Sequence, residues 1–137
     1  MLELQMYKHQ HITLIGFKNV GKSTIGKNLA QELSLPFLDT DEQIESYFYN
    51  KFNKALSCRQ ISEQHGVEYF RTLEKIIITD LEQQPCSVVA LGGGAPMNKQ
   101  IQKIIKSHLL IHITAPKDAV FDRIINNGRP AFIAANA

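Results

Sequence analysis

The chain has 137 residues, enough for one domain with a buried core, and its 44% hydrophobic and 20% charged residues are typical of globular proteins. A net charge of +2 is too small to indicate a nucleic-acid partner or an anionic membrane surface, and the longest apolar stretches are too short to span a bilayer. No signal-peptide pattern opens the chain, and Cys58 and Cys86 lack C-x-x-C spacing, so we expect a cytoplasmic protein with reduced thiols. The five histidines show no metal-ligand spacing either, so no zinc site is expected. We also expect the chain to be a monomer.

Short apolar strands alternate with amphipathic helical segments along the chain. Strands are predicted, in order, at residues 12–15, 35–38, 87–91 and 109–114. Helices are predicted at residues 22–33, 41–51, 67–81, 98–107 and 117–125. Residues 49–62 show no clear period and are predicted to be an irregular or weakly helical insertion. This order predicts an α/β fold in three layers, a parallel sheet with helices on both faces and ligands at the carboxyl ends of the strands.

A phosphate-binding pattern lies between the first strand and the first helix. Residues 16–23 read Gly-Phe-Lys-Asn-Val-Gly-Lys-Ser, which is G-x-x-x-x-G-K-S. Glycines let successive backbone N–H groups approach phosphate oxygens, and the following helix N-terminus adds partial positive charge. Lys22 is predicted to reach the β- and γ-phosphates, and Ser23 to ligate Mg²⁺. The chain is therefore predicted to be a P-loop protein that binds a nucleoside triphosphate, with phosphate contacts from Gly16, Asn19, Val20, Gly21, Lys22, Ser23 and Thr24.

Two carboxylates follow the second predicted strand. Asp39 and Asp41 are one residue apart, and in this architecture the end of that strand lies beside the P-loop. One carboxylate can hold a Mg²⁺-bound water while the other accepts a proton from a substrate hydroxyl. Helix capping is the alternative interpretation, because Thr40-x-x-Gln43 has the form of a capping box.

Two other classes of P-loop protein fit the chain less well. GTPases need N-K-x-D for guanine, and residues 98–101 read Asn-Lys-Gln-Ile. Motor ATPases usually end a strand in Asp, whereas the strand predicted at residues 87–91 runs into Gly92, Gly93 and Gly94. The acids after the second strand therefore favour a kinase.

The ordered set of motifs resembles the shikimate kinases, small P-loop kinases with a nucleoside-monophosphate-kinase-like fold. The matching pieces are residues 16–24, residues 37–41 with Ile44-Glu45, Gly66-x-x-x-Phe70-Arg71 with Glu74, residues 91–94, and Arg129-Pro130. The resemblance implies transfer of the ATP γ-phosphoryl group to the 3-hydroxyl of shikimate, in aromatic amino acid biosynthesis. It also implies Mg²⁺ as cofactor and ATP and shikimate as small-molecule partners, with no nucleic acid and no membrane.

The resemblance further implies roles on the substrate side. Asp39 corresponds to the acid that holds a metal-bound water, and Asp41 to the one that binds and activates the acceptor hydroxyls. Arg71 corresponds to an arginine that pairs with the substrate carboxylate, and Glu74, three residues on, can hold its guanidinium. The backbone of the glycines that complete this site is expected to approach the small ring closely: Gly92, Gly93 and Gly94.

On the nucleotide side, the resemblance makes Lys22, Asp41 and Arg129 the catalytic residues. Arg129 corresponds to a lid arginine over the phosphates, and Arg123 to an arginine near the adenine. We expect one domain over residues 1–137. Its core is predicted at about residues 10–40 and 82–125, its substrate-binding helices at about 41–81 and its lid at about 126–137.

Three departures from the family pattern bear on activity. Between Asp41 and Arg71 the chain is several residues longer than family members, and the family's Gly-Glu before Phe-Arg is here Gly66-Val67. The family also continues past the lid with a helix, a strand and a last helix that supply a second substrate arginine and part of the adenine pocket. We therefore expect either a shortened form or a weakened enzyme. The alternatives are a gluconate-kinase-like enzyme and a non-catalytic nucleotide-binding module derived from a kinase.

Overall fold

Four strands and five α-helices form the part of the chain that the structure, a computed structural model, describes: residues 9–17 and 20–114. The strands are β1 (Ile12–Ile15), β2 (Phe37–Asp39), β3 (Val88–Ala90) and β4 (Leu109–His112). The helices are α1 (Lys22–Leu33), α2 (Thr40–Phe52), α3 (Cys58–His65), α4 (Val67–Asp80) and α5 (Lys99–Ile105), with short 3₁₀ turns at Leu81–Gln83 and Ala95–Met97. The helix predicted at 117–125 and the lid predicted at 126–137 lie outside the described residues.

The four strands form one parallel sheet in the order β2-β3-β1-β4. Ile12 pairs with Val88 on one side and with Leu109 on the other, so the central strand β1 starts level with both neighbours. Because all strands run in one direction, their carboxyl ends meet at a single edge, where the P-loop follows β1, Asp39 is the last residue of β2 and Gly92 follows β3. The predicted α/β fold with a parallel sheet is confirmed.

Helices cover both faces of the sheet. On one face, Leu29, Ala30 and Leu33 of α1 pack with Ile12, Leu14 and Val88. On the other face, α4 and α5 supply Ile78, Ile101 and Ile105 against Val89 and Leu91. A third cluster joins α2, α3 and α4 beside the sheet: Ile44, Phe48, Ile61, Phe70 and Leu73. In the described part of the chain no helix is both long enough and apolar enough to cross a bilayer.

Residues 49–62 are predicted from the sequence to be irregular or weakly helical, and the irregular part of this prediction is wrong, because residues 49–52 and 58–62 are helical. Helix α2 continues to Phe52 and ends because Asn53 adopts a left-handed backbone conformation with φ of 55°. Helix α3 then starts at a complete capping box, in which the Ser57 side chain accepts the Gln60 N–H and the Gln60 side chain accepts the Ser57 N–H. Ile61, the fully buried residue of this helix, anchors it to the third cluster.

A buried histidine pair lies at the amino edge of the sheet, opposite the P-loop edge. The His11 and His108 rings are 5.0 Å apart. Nδ1 of His11 accepts the N–H of Ser87 at 3.2 Å, so its Nε2 carries the proton and donates to the Leu81 carbonyl at 2.7 Å. The first bond joins the start of β3 to the start of β1, and the second joins the start of β1 to the 3₁₀ turn at Leu81–Gln83.

His108 has a different set of partners. Its Nδ1 lies 2.9 Å from the Thr13 hydroxyl and its Nε2 lies 3.2 Å from a Glu82 carboxylate oxygen. Burial is the main cause that lowers the pKa of His108 below its ordinary value of 6.5, and the hydrogen bond to Glu82 opposes that shift. The neutral imidazole is therefore the form that the fold favours.

Candidate active site

The P-loop connects β1 to α1 and places the start of α1 at the carboxyl edge of the sheet. Gly21 precedes the helix and has no side chain with which to cap it, and Gly21, Lys22, Ser23 and Thr24 line the cavity described below. The Lys22 ammonium donates to the carbonyls of Gly16 at 2.5 Å and Phe17 at 2.9 Å, so the lysine lies over its own loop. Asn19 lies outside the described residues.

Asp39 uses its two carboxylate oxygens for different tasks. Oδ1 accepts the N–H groups of Asp41 at 2.9 Å and Glu42 at 3.3 Å, which makes Asp39 the N-cap of α2. Oδ2 accepts the Ser23 hydroxyl at 2.9 Å. Hydroxyl and carboxylate oxygens are the ligands that Mg²⁺ prefers, so this pair fits the predicted magnesium site. Within the described residues, no three His, Cys, Asp or Glu side chains come together in a group that could hold a metal ion.

The predicted capping box at Thr40 is wrong, since Thr40 is the first residue inside α2. Its side chain is fully buried; its hydroxyl accepts the Gly92 N–H at 3.0 Å and donates to the Ala90 carbonyl at 3.4 Å. Thr40 therefore fastens the start of α2 to the end of β3, a role that our reading of the sequence missed. The sequence feature that could have indicated this role is a threonine between two acids, because either Asp39 or Thr40 could then be the N-cap of α2.

Arg71 and Glu74 form a close ion pair on α4. Arg71 Nη1 donates to Glu74 Oε1 at 2.7 Å, and the Glu74 side chain is 1% exposed while that of Arg71 is 32% exposed. Burial raises the pKa of Glu74, whereas its hydrogen bond to Arg71 lowers it and the charge of Asp41 raises it. Glu74 thus lies behind Arg71 and orients a guanidinium that reaches solvent.

The glycines after β3 make room for these side chains. A Cβ on Gly92 would lie 2.7 Å from Asp41 Oδ1 and 3.2 Å from Glu74 Oε2, so two carboxylates converge on this backbone. A Cβ on Gly94 would lie 3.0 Å from Arg71 Cζ. Protein side chains therefore already approach these two glycines closely, and a Cβ at either position would force a side chain of the site to shift.

Two adjoining cavities hold most of the predicted site residues. The first, of about 270 Å³, is lined by the end of the P-loop and the start of α1, by the two acids and by the segment after β3: Gly21, Lys22, Ser23, Thr24, Asp39, Asp41, Gly92 and Gly93. The second, of about 740 Å³, shares Gly93 and is bordered by Gly16, Arg71 and Gly94 together with Phe17, Met97 and His112, which the sequence reading had not selected. Val20 is buried and lines neither cavity. Arg123 and Arg129 lie outside the described residues.

Comparison with known proteins shows which family this chain belongs to. The family model for shikimate kinase matches residues 18–137. The chain belongs to the shikimate kinase family. Among curated relatives, the shikimate kinase of Oceanobacillus iheyensis is 41% identical over 118 residues, which cover 85% of this chain and 61% of the relative. The chain therefore spans less than two thirds of the length of this relative.

Solved structures agree with the family assignment. Shikimate kinase from Acinetobacter baumannii in complex with shikimate has a TM-score of 0.77 and 27% identity, covering 89% of this chain and 65% of that one. Shikimate kinase from Aquifex aeolicus has a TM-score of 0.73 and 34% identity, covering 89% and 70% of the two chains. The shikimate kinase family has the P-loop kinase fold, which confirms the predicted fold family for this chain.

Proposed function

We propose that the chain is an ATP-dependent phosphotransferase that phosphorylates the 3-hydroxyl of shikimate. One observation carries the proposal: the P-loop, Asp39 and Asp41 line one cavity, and the Arg71–Glu74 pair lies beside it across Gly92 to Gly94. Membership of the shikimate kinase family supports the same acceptor. Because the chain spans about 61% of a curated relative, activity is proposed for it and not taken over from that relative.

On the acceptor side, the ionised groups suit a hydroxylated carboxylic acid. Arg71 offers the part of its guanidinium that does not contact Glu74 to the substrate carboxylate, in a charge-assisted pair. Asp41 lines the first of the two cavities, which adjoins the P-loop and is called the phosphate cavity below, and it accepts the proton of the attacking hydroxyl. The acceptor oxygen bonds to the γ-phosphorus while the bond from that phosphorus to the β–γ bridging oxygen breaks, and ADP leaves.

On the nucleotide side, catalysis rests on positioning and positive charge. Lys22 would exchange the carbonyls of Gly16 and Phe17 for oxygens of the β- and γ-phosphates. Ser23 would hold Mg²⁺ directly and Asp39 would hold it through water; bound with ATP, the ion neutralises charge on the phosphates. Asn19, Arg123 and Arg129 stay predictions for the phosphates, the adenine and the lid.

A coupled assay of ADP release tests the proposal. The chain is supplied with Mg²⁺-ATP and either shikimate, gluconate or no acceptor. We expect release that depends on shikimate, with a Lys22→Met variant as the control for contaminating kinases. Release with gluconate alone would favour the gluconate-kinase-like alternative. Tight ATP binding without release in any arm would favour the non-catalytic module.

A further inference from the structure

Cys58 makes two contacts with a single turn of α2. Its backbone N–H donates to Glu45 Oε2 at 2.8 Å, and its thiol donates to the Asp41 carbonyl at 3.4 Å. Asp41 and Glu45 are four residues apart, which is about one helical turn. The first residue of α3 is therefore fastened to the turn of α2 that carries the Asp41 carboxylate.

The local structure of α3 determines where this thiol lies. Residue 58 follows the Ser57 cap, and its N–H is one of the donors that a helix start leaves without an intrahelical partner. The Glu45 carboxylate takes that donor, an arrangement that the helix dipole also favours. Buried Ile61, one turn further on, packs with Ile44 and Phe48 of α2. Capping and core packing thus both hold the thiol against the Asp41 carbonyl.

We propose that Cys58 is a positioning residue for Asp41, an inference that rests on the proposed function of this acid. The Asp41 side chain is short, so the orientation of its backbone decides where its carboxylate lies. That carboxylate lies close to the Gly92 backbone, because its Oδ1 is 2.7 Å from the point that a Cβ on Gly92 would occupy. A thiol donor on the Asp41 carbonyl limits the tilt of the first turn of α2 and keeps the carboxylate facing the phosphate cavity.

Substitutions at Cys58 and Glu45 test the two contacts separately. Cys58→Ala removes the side-chain donor, and we expect kcat to fall about fivefold, as for loss of one hydrogen bond, with the KM for ATP unchanged. Cys58→Ser keeps a donor and should restore kcat to within about twofold of the wild type. Glu45→Ala should lower kcat in the same way, and Glu45→Gln, which keeps an acceptor, should not. Cys86→Ala, at the second partly buried thiol near the opposite edge of the sheet, is the matched control and should leave kcat unchanged.

Three results would overturn the proposal: unchanged kcat in Cys58→Ala, equal losses in the Ala and Ser variants, or an equal loss in Cys86→Ala. Amide exchange over residues 41–45 supplies a readout that does not need turnover, and we expect it to be faster in Cys58→Ala than in the wild type. A wild type without shikimate-dependent ADP release would refute the proposed function alone. The exchange measurement would then decide whether Cys58 holds this turn, with unchanged exchange counting against it.

Discussion

Replacing Gly92 by alanine would place a methyl group in the space that Asp41 and Glu74 share. Ordinary van der Waals contact begins at 3.4 Å, so the 2.7 Å approach to Asp41 Oδ1 requires a shift of about 0.7 Å, whereas the 3.2 Å approach to Glu74 Oε2 requires about 0.2 Å. Because a 1 Å misplacement of a reacting group costs about 10²-fold, we expect kcat to fall about 30-fold. The KM for ATP should stay within about twofold, since the Lys22 and Ser23 contacts are not displaced.

Gly94→Ala provides the matched comparison for this variant. Its Cβ would lie 2.9 Å from Arg71 Nη1, so the methyl group displaces the guanidinium and leaves the Asp41 carboxylate in place. We expect about a tenfold rise in the KM for shikimate and a smaller loss in kcat. Both variants are assayed by coupled ADP release at saturating ATP, with thermal melting as a test of folding. A Gly92→Ala enzyme with wild-type kcat would refute the placement of Asp41 against this backbone.

Three further predictions concern charged and titrating groups. Asp41→Asn should lower kcat about 10²-fold or more with nearly unchanged ATP binding, whereas Asp39→Asn should raise the Mg²⁺ concentration needed for half-maximal rate; identical Mg²⁺ profiles would show that the roles are wrongly assigned. Glu74→Gln should raise the KM for shikimate about tenfold, because a neutral amide orients Arg71 less firmly, and unchanged kinetics would exclude that role. Since the pKa of His108 is lowered in the fold, the unfolded chain binds more protons there below pH 6.5, and stability should decrease as pH falls from 7.5 to 5.5. Over this pH range the melting temperature of a His108→Gln variant should decrease less steeply than that of the wild type. Equal slopes for the two proteins would show that His108 is not the group responsible.

Local sequence signals were sufficient where one short segment determines its own structure. The observed bounds of β1 and α1 agree with their predicted bounds, because the P-loop motif specifies a strand, a turn and a helix within one short segment. The α/β fold class followed from the alternation of such segments.

Local sequence signals were insufficient to predict a helix start that depends on one residue, or a contact between segments that are distant in sequence. Helix α3 is short and has few apolar residues, with Ile61 as its one buried residue, and the signal for its start is the Ser57-x-x-Gln60 capping box. Asp39 and Thr40 are both good N-caps, and the choice between them depends on whether the Thr40 hydroxyl reaches Gly92 across the sheet. The convergence of Asp41 and Glu74 on Gly92 joins three distant segments, which no local pattern specifies.

The short strand β3 is held by polar contacts at both ends. At the amino edge, the Ser87 N–H is bonded to His11; at the carboxyl edge, Thr40 bonds both the Ala90 carbonyl and the Gly92 N–H. A slip of one residue along β1 would break both sets of contacts and turn Val88 and Val89 to the wrong faces. Gly92 is thus aligned with Asp41 by strand registration, and part of that alignment originates at a histidine on the far side of the sheet. Substitutions at His11 should consequently disturb the alignment of Gly92 with Asp41 and so lower kcat, in addition to lowering the melting temperature.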